Sequence, residues 1–194
     1  MRLNNLKIGL GVTGSFCTFE KTIQLAKDLK NEGASILPIL SYNAYTTDTR
    51  FGKAEDFNRE LEEITGHKIV NTIVGAEPIG PKNLIDIMLI TPCTGNTLAK
   101  LANAITDNAV LMTTKSHLRN GKPVVLGVST NDALSMNAKN LGVLLNTKNI
   151  YFVPFRQDDY KNKPNSLVYD TSLVIETVEM AINMKQLQPI FVSR

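Results

Sequence analysis

Three polar residues, Thr94, Asn96 and Thr97, stand close together in this 194-residue sequence at a position that favours ligand binding. They fall at the start of a predicted helix, where free backbone N–H groups and the positive end of the helix dipole attract an anion. The same residue types also serve as ordinary helix N-caps, so Thr94 or Asn96 alone fits either role. The pattern predicts an anion-binding turn, with capping as the alternative.

The residues around this turn predict a strand, a tight turn and a helix. Residues 87–90 form an apolar run with no polar break, which fits a strand buried on both faces of a parallel sheet. Pro92 has no N–H for the ladder and is expected to end that strand. The helix is indicated by apolar residues at helical spacing, namely Leu98, Leu101, Ala102 and Ile105. In a doubly wound sheet, a turn of this kind faces the ligand crevice.

The rest of the chain alternates strands with helices. Further strands are predicted at residues 6–12, 34–40, 124–128 and 149–154, and helices at residues 18–31, 54–65, 109–118, 134–145 and 170–186. Residues 68–74 fit a strand or an extended connection, whereas residues 42–53, 75–81 and 155–165 are predicted as loops. This order predicts one α/β domain over residues 1–194, with a flavodoxin-like (Rossmann-like), doubly wound parallel sheet.

Polar turns also follow the other predicted strands. Gly14 and Ser15 come after the first strand, and Ser41 and Asn43 come after the second. Residues 129–132 follow the strand at 124–128 in the same way. Because the carboxyl ends of parallel strands lie at one edge of a sheet, these turns are expected to face the same crevice.

The first strand contains a literal match to the dinucleotide-binding pattern G-x-G-x-x-G, at residues 9–14. Gly9 and Gly11 lie inside the strand rather than after it, and Ser41 stands where a dinucleotide fold has an acidic residue to hold a ribose. The match is therefore discounted as an NAD fingerprint. The turn at Gly14 and Ser15 still offers backbone N–H groups to a phosphate.

Composition argues against several classes of function. The net charge is +3 and the basic residues are spread along the chain, which does not favour nucleic-acid binding. The sequence shows neither a signal peptide nor an apolar run of roughly 18 residues, the length of a membrane helix, so a cytoplasmic protein is expected. The chain has two cysteines and two histidines, too few for a disulfide framework or a zinc site.

One combination of residues resembles a known family. Pro92, Asn96-Thr97 and Asp107-Asn108 resemble the Pro-x-x-x-Asn-Thr and later Asp-Asn signature of the flavin-binding decarboxylase-like family. The resemblance implies FMN in the crevice and a homo-oligomer, either a trimer or a multiple of one. The cofactor contacts it implies, together with the polar turns, are Gly14, Ser15, Ser41, Asn43, Pro92, Thr94, Asn96, Thr97, Ser129 and Asn131.

The family's Pro-x-Met-Asn turn has two possible matches in this chain. Asn131 directly follows the strand at 124–128 and is taken as the asparagine of that turn. Met136-Asn137 is the rival match, although it lies a full helical turn later.

The sequence departs from the decarboxylases of that family in one respect. Those enzymes carry a catalytic histidine in the loop before the strand that leads into Pro-x-x-x-Asn-Thr, whereas residues 77–81 here read EPIGP. His67 lies too early and His117 too late, and both are expected to be surface residues. The proton-transfer group of a cysteine decarboxylase is therefore missing, and no catalytic residue is assigned. Cys17 and Cys93 fall in βα turns, where plain packing is the commoner role.

Four longer strings, GVTGSFCTF, STNDALSMNAKN, TKNIYFVPFRQDD and KPNSLV, resemble one branch of the family. Its members form one of the two subunits of a bacterial enzyme that oxidises a dihydropyridine dicarboxylate in the mother cell during sporulation. The resemblance implies a dehydrogenase-like partner, a small dicarboxylate substrate, and either FMN or NADP in the complex. Arg156, Lys161 and Lys163, in the long charged loop, are the candidates for the substrate carboxylates. The alternatives are an FMN-dependent decarboxylase and a subunit that serves assembly without catalysis.

Overall fold

A seven-stranded sheet runs through the computed structural model, which describes residues 1–193. The strands are β1 Lys7–Val12, β2 Ser35–Leu40, β3 Ile87–Cys93, β4 Val124–Thr130, β5 Ile150–Phe152, β6 Phe155–Arg156 and β7 Leu167–Tyr169. The helices are α1 Phe19–Asn31, α2 Tyr42–Thr46, α3 Ala54–Thr65, α4 Ile73–Ala76, α5 Gly95–Ala102, α6 Ala109–Arg119, α7 Ala138–Leu145 and α8 Val174–Ile182. Two 3-10 turns, Phe16–Thr18 and Thr171–Leu173, lead directly into α1 and α8.

The first five strands are parallel and lie in the order β2-β1-β3-β4-β5. This is the flavodoxin order, and it confirms the predicted fold class. The strand order reverses between β1 and β3, so the crevice outside their carboxyl ends is where such sheets bind ligands. The turns after β1, β2 and β3 all open at that edge.

Two antiparallel strands, β7 and β6, extend the sheet from the carboxyl end of β4, which the sequence did not predict. β4 pairs with β5 through residues 124–126, and then with β7 through Ser129 and Thr130. β6 and β7 form a hairpin around residues 157–166, so the segment predicted as a loop from residue 155 begins as a strand. Strands of two or three residues have no readable periodicity, which is why the pattern missed them.

Each face of the sheet is covered by helices, and alternate residues of the strands point to opposite faces. Leu89 of β3 and Val125 of β4 belong to one buried cluster, together with residues of α1, α3 and α8. Ile90 and Leu126 belong to a second cluster with residues of α5, α6 and α7. Burial on both faces explains the unbroken apolar runs in these strands.

The two glycines inside β1 serve packing. A Cβ at Gly9 would lie 2.6 Å from the Ile85 side chain, and one at Gly11 would lie 2.7 Å from Met88. Both distances are shorter than any normal carbon contact, so a side chain at either position would displace Ile85 or Met88 from this face of β1. This accounts for the G-x-G match at residues 9–11 without a dinucleotide.

Several predicted boundaries were wrong. The segment 42–53, predicted as a loop, begins with α2, and α4 occupies residues 73–76 where a connection and a loop were predicted. β3 continues through Pro92 to Cys93, because its register against β4 shifts there and the missing N–H does not interrupt the pairing. Ile105 lies beyond α5, which ends at Ala102.

The last two helices are also shorter than predicted. α7 begins at Ala138 rather than residue 134, because turns fill residues 131–137. α8 spans Val174–Ile182 inside the predicted 170–186 segment, with the 3-10 turn before it. Helical spacing of apolar residues continued into both turns, and periodicity does not separate a helix from a flanking turn.

The outer edge of β5 is closed by a side chain. Phe152 donates its backbone N–H to Gln186 Oε1 at 2.8 Å, and Gln186 Nε2 donates to the Phe152 carbonyl at 2.7 Å. Ile150 donates its N–H to the Thr147 carbonyl. The amide of Gln186 therefore occupies the place of a neighbouring strand.

His117 is buried on α6, contrary to the expectation of a surface histidine, whereas His67 is exposed as predicted. Burial, helped by the nearby Lys122 ammonium, lowers the pKa of His117 from 6.5 to about 4. It lies near residues 86 and 123, at the amino ends of β3 and β4, far along these strands from the turns described above. The residue is therefore part of the core.

A buried neutral histidine makes stability depend on pH. His117 takes up a proton near pH 6.5 in the unfolded chain, but only near pH 4 in the folded chain. Its contribution to the free energy of unfolding is therefore fully present above pH 6.5 and is lost as the pH falls toward 4. The expected loss is about 3 kcal/mol. Urea unfolding of His117→Gln between pH 7 and 4 should show a flatter profile than the wild type. His67→Gln is the control and should keep the wild-type profile; equal profiles for all three would refute this account.

Candidate functional site

A polar cleft of about 290 Å³ lies at the switch point between β1 and β3. Three segments build it: the turn after β1, the start of α2 after β2, and the turn and helix α5 after β3. The lining residues are Thr13, Gly14, Ser41, Tyr42, Asn43, Thr94, Asn96, Thr97, Lys100, Asp107 and Asn108. The cleft thus contains Gly14, Ser41, Asn43, Thr94, Asn96 and Thr97 from the predicted contacts.

Thr13 joins the ends of β1 and β3. Its buried hydroxyl donates to the Pro92 carbonyl at 2.8 Å and accepts the Thr94 N–H at 3.1 Å. Pro92 itself is buried and does not line the cleft, so its predicted contact with a cofactor stays a prediction. One hydroxyl therefore sets the position of the turn that leads into α5, and the sequence pattern did not single it out.

Thr94 is the N-cap of α5, which confirms the capping role that the sequence offered as the alternative to anion binding. Its hydroxyl accepts the Thr97 N–H at 3.3 Å and donates to the Thr97 hydroxyl at 3.1 Å. Capping does not exclude ligand binding, because the geometry of a first turn leaves the N–H groups of Gly95 and Asn96 without an intrahelical acceptor. The exposed Asn96 amide stands beside them on the cleft.

Ser41 and Asn43 form the opposite wall. Ser41 is the N-cap of the five-residue helix α2, where its hydroxyl accepts the Ala44 N–H at 3.4 Å. That distance is long, so the hydroxyl keeps capacity for a stronger partner. Asn43 lies in the first turn of α2 with an exposed side chain.

The cleft contains a lysine to which the sequence pattern assigned no role. Lys100 lies one turn along α5 from Asn96, and its ammonium pairs with the Asp107 carboxylate. Asn108 donates a hydrogen bond to Asp107 and caps α6 by accepting the Leu111 N–H at 3.0 Å. The spacing of four residues from Asn96 was the signal available, because i and i+4 share a helix face.

Ser15, Ser129 and Asn131 are not among the residues lining the cleft. The Ser15 backbone carbonyl accepts the N–H and hydroxyl of Thr18, at the start of α1. Ser129 pairs with Val168 inside the sheet, and the side-chain oxygen Oδ1 of Asn131 accepts a hydrogen bond from the Ser166 hydroxyl at 3.4 Å. Their predicted contact with a cofactor is therefore not supported by the shape of this cleft, and it stays a prediction.

The rival asparagine, Asn137, lies against the start of α5. A Cβ built on Gly95 would be 2.8 Å from Asn137 Nδ2. Asn137 is buried, and its side chain bonds to Asp132 and Asn140. Of the two asparagines, it is thus Asn137 that contacts the helix carrying the cleft residues.

The basic residues of the 155–165 segment have partners on their own hairpin. Arg156 Nη1 pairs with Asp170 Oδ2 at 2.6 Å, and Lys163 pairs with Asp158 at 3.3 Å. Bonds from Ser172 first, and then the Arg156 guanidinium, hold the pKa of Asp170 below its ordinary value. The Lys161 ammonium is 6.0 Å from the centre of the Tyr160 ring. Their role toward a substrate stays a prediction.

The thiols do not form a redox pair. Cys93 is buried at the end of β3, and burial raises the pKa of its thiol to about 12, so it stays protonated. Cys17 is exposed in the 3-10 turn. Within residues 1–193 there is no group of three metal-binding side chains, and no helix there is both long and apolar enough to cross a membrane.

Replacing Thr13 tests whether its hydroxyl holds the cleft together. Thr13→Val keeps the shape but leaves the buried Pro92 carbonyl and the Thr94 N–H without a partner, and should cost roughly 1–3 kcal/mol of unfolding free energy. Urea denaturation measures this cost. Thr13→Ser retains the hydroxyl and should lose much less; a loss in Thr13→Val no larger than in Thr13→Ser would show that the hydroxyl is not the main contact that holds the cleft.

Comparisons with known proteins agree with this fold. The family model described as Flavoprotein matches residues 1–180. The B subunit of dipicolinate synthase from Bacillus subtilis is 49% identical over 190 residues, which are 98% of this chain and 95% of the relative.

Solved structures are similar as well. The crystal structure of the B subunit of dipicolinate synthase from Bacillus halodurans superposes with a TM-score of 0.92 at 45% identity, and the match covers 100% of both chains. The FMN-dependent cysteine decarboxylase SpaF superposes with a TM-score of 0.69 at 20% identity, covering 93% of this chain and 97% of the other, and at that identity it shows the fold alone.

Proposed function

Because this chain belongs to the flavoprotein family, we propose that its cleft binds FMN and that it acts as one component of a dipicolinate synthase. The observation that supports the cofactor is the cleft itself, which brings the flavin-like signature residues Asn96 and Thr97 to the switch point of a flavodoxin-like sheet. The full-length similarity to the B subunits of that enzyme supports the choice of enzyme.

The residues of the cleft fit the phosphate and the hydroxylated chain of FMN. The first turn of α5 supplies backbone N–H groups for an anion, and the Lys100 ammonium, which is also paired with Asp107, lies on the same wall. The Ser41 hydroxyl and the Asn43 and Asn96 amides offer further hydrogen bonds. When bound, FMN supplies a group that accepts a hydride.

The chain's own task is to hold the substrate ring close to that acceptor. Conversion of a dihydropyridine dicarboxylate to dipicolinate breaks two bonds to hydrogen, so that the ring loses one hydride and one proton and becomes aromatic. Arg156, Lys161 and Lys163 are the candidates for the two carboxylates, because guanidinium and ammonium groups donate charge-assisted hydrogen bonds to them. The base that takes the proton is not assigned to a residue.

We assign the dehydrogenase-like role to a partner, the A subunit of dipicolinate synthase, with NADP as the nicotinamide cofactor of the complex. The chain itself is proposed to form a homo-oligomer, a trimer or a multiple of one, in the cytoplasm of the mother cell of a sporulating bacterium. Size-exclusion chromatography with light scattering tests this assembly, and a monomer would contradict it.

Two alternatives use the same cleft. In one, the chain is an FMN-dependent decarboxylase of a cysteinyl or aromatic substrate, and release of CO₂ from such a substrate would establish it. The absence of histidine in residues 77–81 disfavours this reaction. In the other, the chain serves only assembly, and all catalysis lies in the dehydrogenase-like partner. Equal rates of dipicolinate formation by that partner alone and by the pair would establish this role.

The absorbance spectrum of the purified protein is the direct test of the cofactor. We expect a flavin band, and FMN in the supernatant after heating, identified by mass spectrometry. Titration of the cofactor-free protein with FMN and with riboflavin should show weaker binding of riboflavin, because the N–H groups of α5 and Lys100 lose their anion. A colourless protein that binds neither compound would overturn the proposal of FMN.

Arg156 gives a test of the substrate site. If its guanidinium binds a substrate carboxylate, Arg156→Ala should raise KM for dipicolinate formation by roughly tenfold or more, as expected for a lost charge-assisted bond. The variant also breaks the ion pair with Asp170. Asp170→Asn is therefore the matched control: it breaks the same ion pair but leaves the arginine in place. Equal effects of the two substitutions would assign Arg156 to the hairpin rather than to the substrate.

A further inference from the structure

One wall of the cleft depends on the position of a single short helix. Thr94, Asn96, Thr97 and Lys100 all belong to α5 or its N-cap, and α5 has only eight residues. A shift of this helix would move all four side chains together. Whatever holds its N-terminus in place therefore determines the shape of the cleft.

The N-terminus of α5 lies directly on the turn that follows β4. A Cβ built on Gly95 would be 2.5 Å from Thr130 Oγ1, 2.7 Å from Asp132 Oδ1 and 2.8 Å from Asn137 Nδ2. No side chain fits at such distances, so the helix approaches this turn as closely as glycine permits. The contact lies outside the cleft, since none of Thr130, Asp132 and Asn137 lines it.

Asp132 is the centre of the polar group that meets Gly95. Its Oδ1 accepts the Thr130 hydroxyl at 2.6 Å, and its Oδ2 accepts Asn137 Nδ2 at 2.7 Å. The backbone carbonyl of Asp132 also accepts the N–H groups of Ser135 and Asn137. Both carboxylate oxygens therefore have partners, and the negative charge faces the positive end of the α5 dipole.

The same network continues along α5 to its far end. Asn140 donates to Asn137 at 2.8 Å, and Asn103, the C-cap of α5, donates to Asn140 at 3.3 Å. Besides the Thr13–Thr94 bond, the N-terminus of the helix is in close contact with the Asp132 carboxylate, whereas its C-terminus makes one long hydrogen bond from the Asn103 amide. The N-terminus and the C-terminus of α5 thus contact the β4–α7 region through different interactions, and each can be removed by a separate substitution.

We propose that Asp132 is a positioning residue, which fixes the N-terminus of α5 against the β4–α7 turn and so sets the shape of the cleft. Its proposed effect on ligand affinity rests on the proposed binding of FMN, whereas its effect on α5 does not. The carboxylate acts through Thr130 and Asn137 and does not contact the ligand.

Hydrogen exchange of the ligand-free protein tests the positioning. Asp132→Asn retains the size of the side chain but loses the charge that strengthens both hydrogen bonds, and its NH2 group can only donate, so the Thr130 hydroxyl must change from donor to acceptor. Amides of α5 should then exchange roughly tenfold faster, because both bonds that fix the side chain of residue 132 are weakened. Amides of α6 should keep their rates. Unchanged exchange in α5, or a uniform increase over the whole chain, would overturn the proposal.

FMN affinity gives a second and independent measurement. Asp132→Asn removes a negative charge near an anion-binding turn, so a purely electrostatic role predicts tighter binding, whereas loss of positioning predicts weaker binding by roughly tenfold. Gly95→Ala changes no charge and should also weaken binding. Asn103→Ala is the matched control, because it removes the bond at the far end of α5 and should leave the FMN affinity unchanged.

The outcomes separate the two proposals. If the wild type binds no FMN, the proposed cofactor fails, and hydrogen exchange still decides the role of Asp132. If the wild type binds FMN and Asp132→Asn binds it equally or more tightly, the positioning role fails and the cofactor stands. Should Asp132→Asn not fold, Gly95→Ala carries the same test, with faster exchange in α5 as the expected result.

Discussion

The carboxyl ends of β1 and β3 are held together by one buried hydroxyl, and the cleft depends on that contact. Thr13 accepts the N–H of Thr94 and donates to the carbonyl of Pro92, so the turn into α5 cannot move independently of β1. The switch point of the strand order provides a crevice at this edge, but strand order alone does not place individual side chains. The two hydrogen bonds of the Thr13 hydroxyl fix where the turn into α5, and therefore one wall of the cleft, lies relative to β1.

The fold and half of the candidate site followed from the sequence because they rest on strong local signals. The apolar runs at β1, β3 and β4 have no polar break, and α1 and α3 have regular apolar spacing. Polar turns after buried strands located Ser41, Asn43 and the Thr94–Thr97 turn. These signals operate within about ten residues, which is the range over which periodicity can be read.

What the sequence left undetermined depends on contacts between distant segments. The hairpin of β6 and β7 is stabilised by β4, some 40 residues earlier, and its strands are too short to predict. Asn131 was preferred to Asn137 because it directly follows a predicted strand, but the turn after β4 brings Asn137 to Gly95. The charges of Arg156 and Lys163 looked available for a substrate, yet each has a carboxylate partner in the same region.

The side-chain amide of Gln186, which bonds to Phe152 of β5, affects whether another chain can pair with this edge of the sheet. An uncovered strand at the border of a sheet invites another chain to extend the ladder, and unlimited extension produces fibrils. Here the outward N–H and carbonyl of Phe152 already have both partners from one side chain. This border therefore does not offer another chain the free N–H and carbonyl at Phe152 that a continuous intermolecular sheet would need.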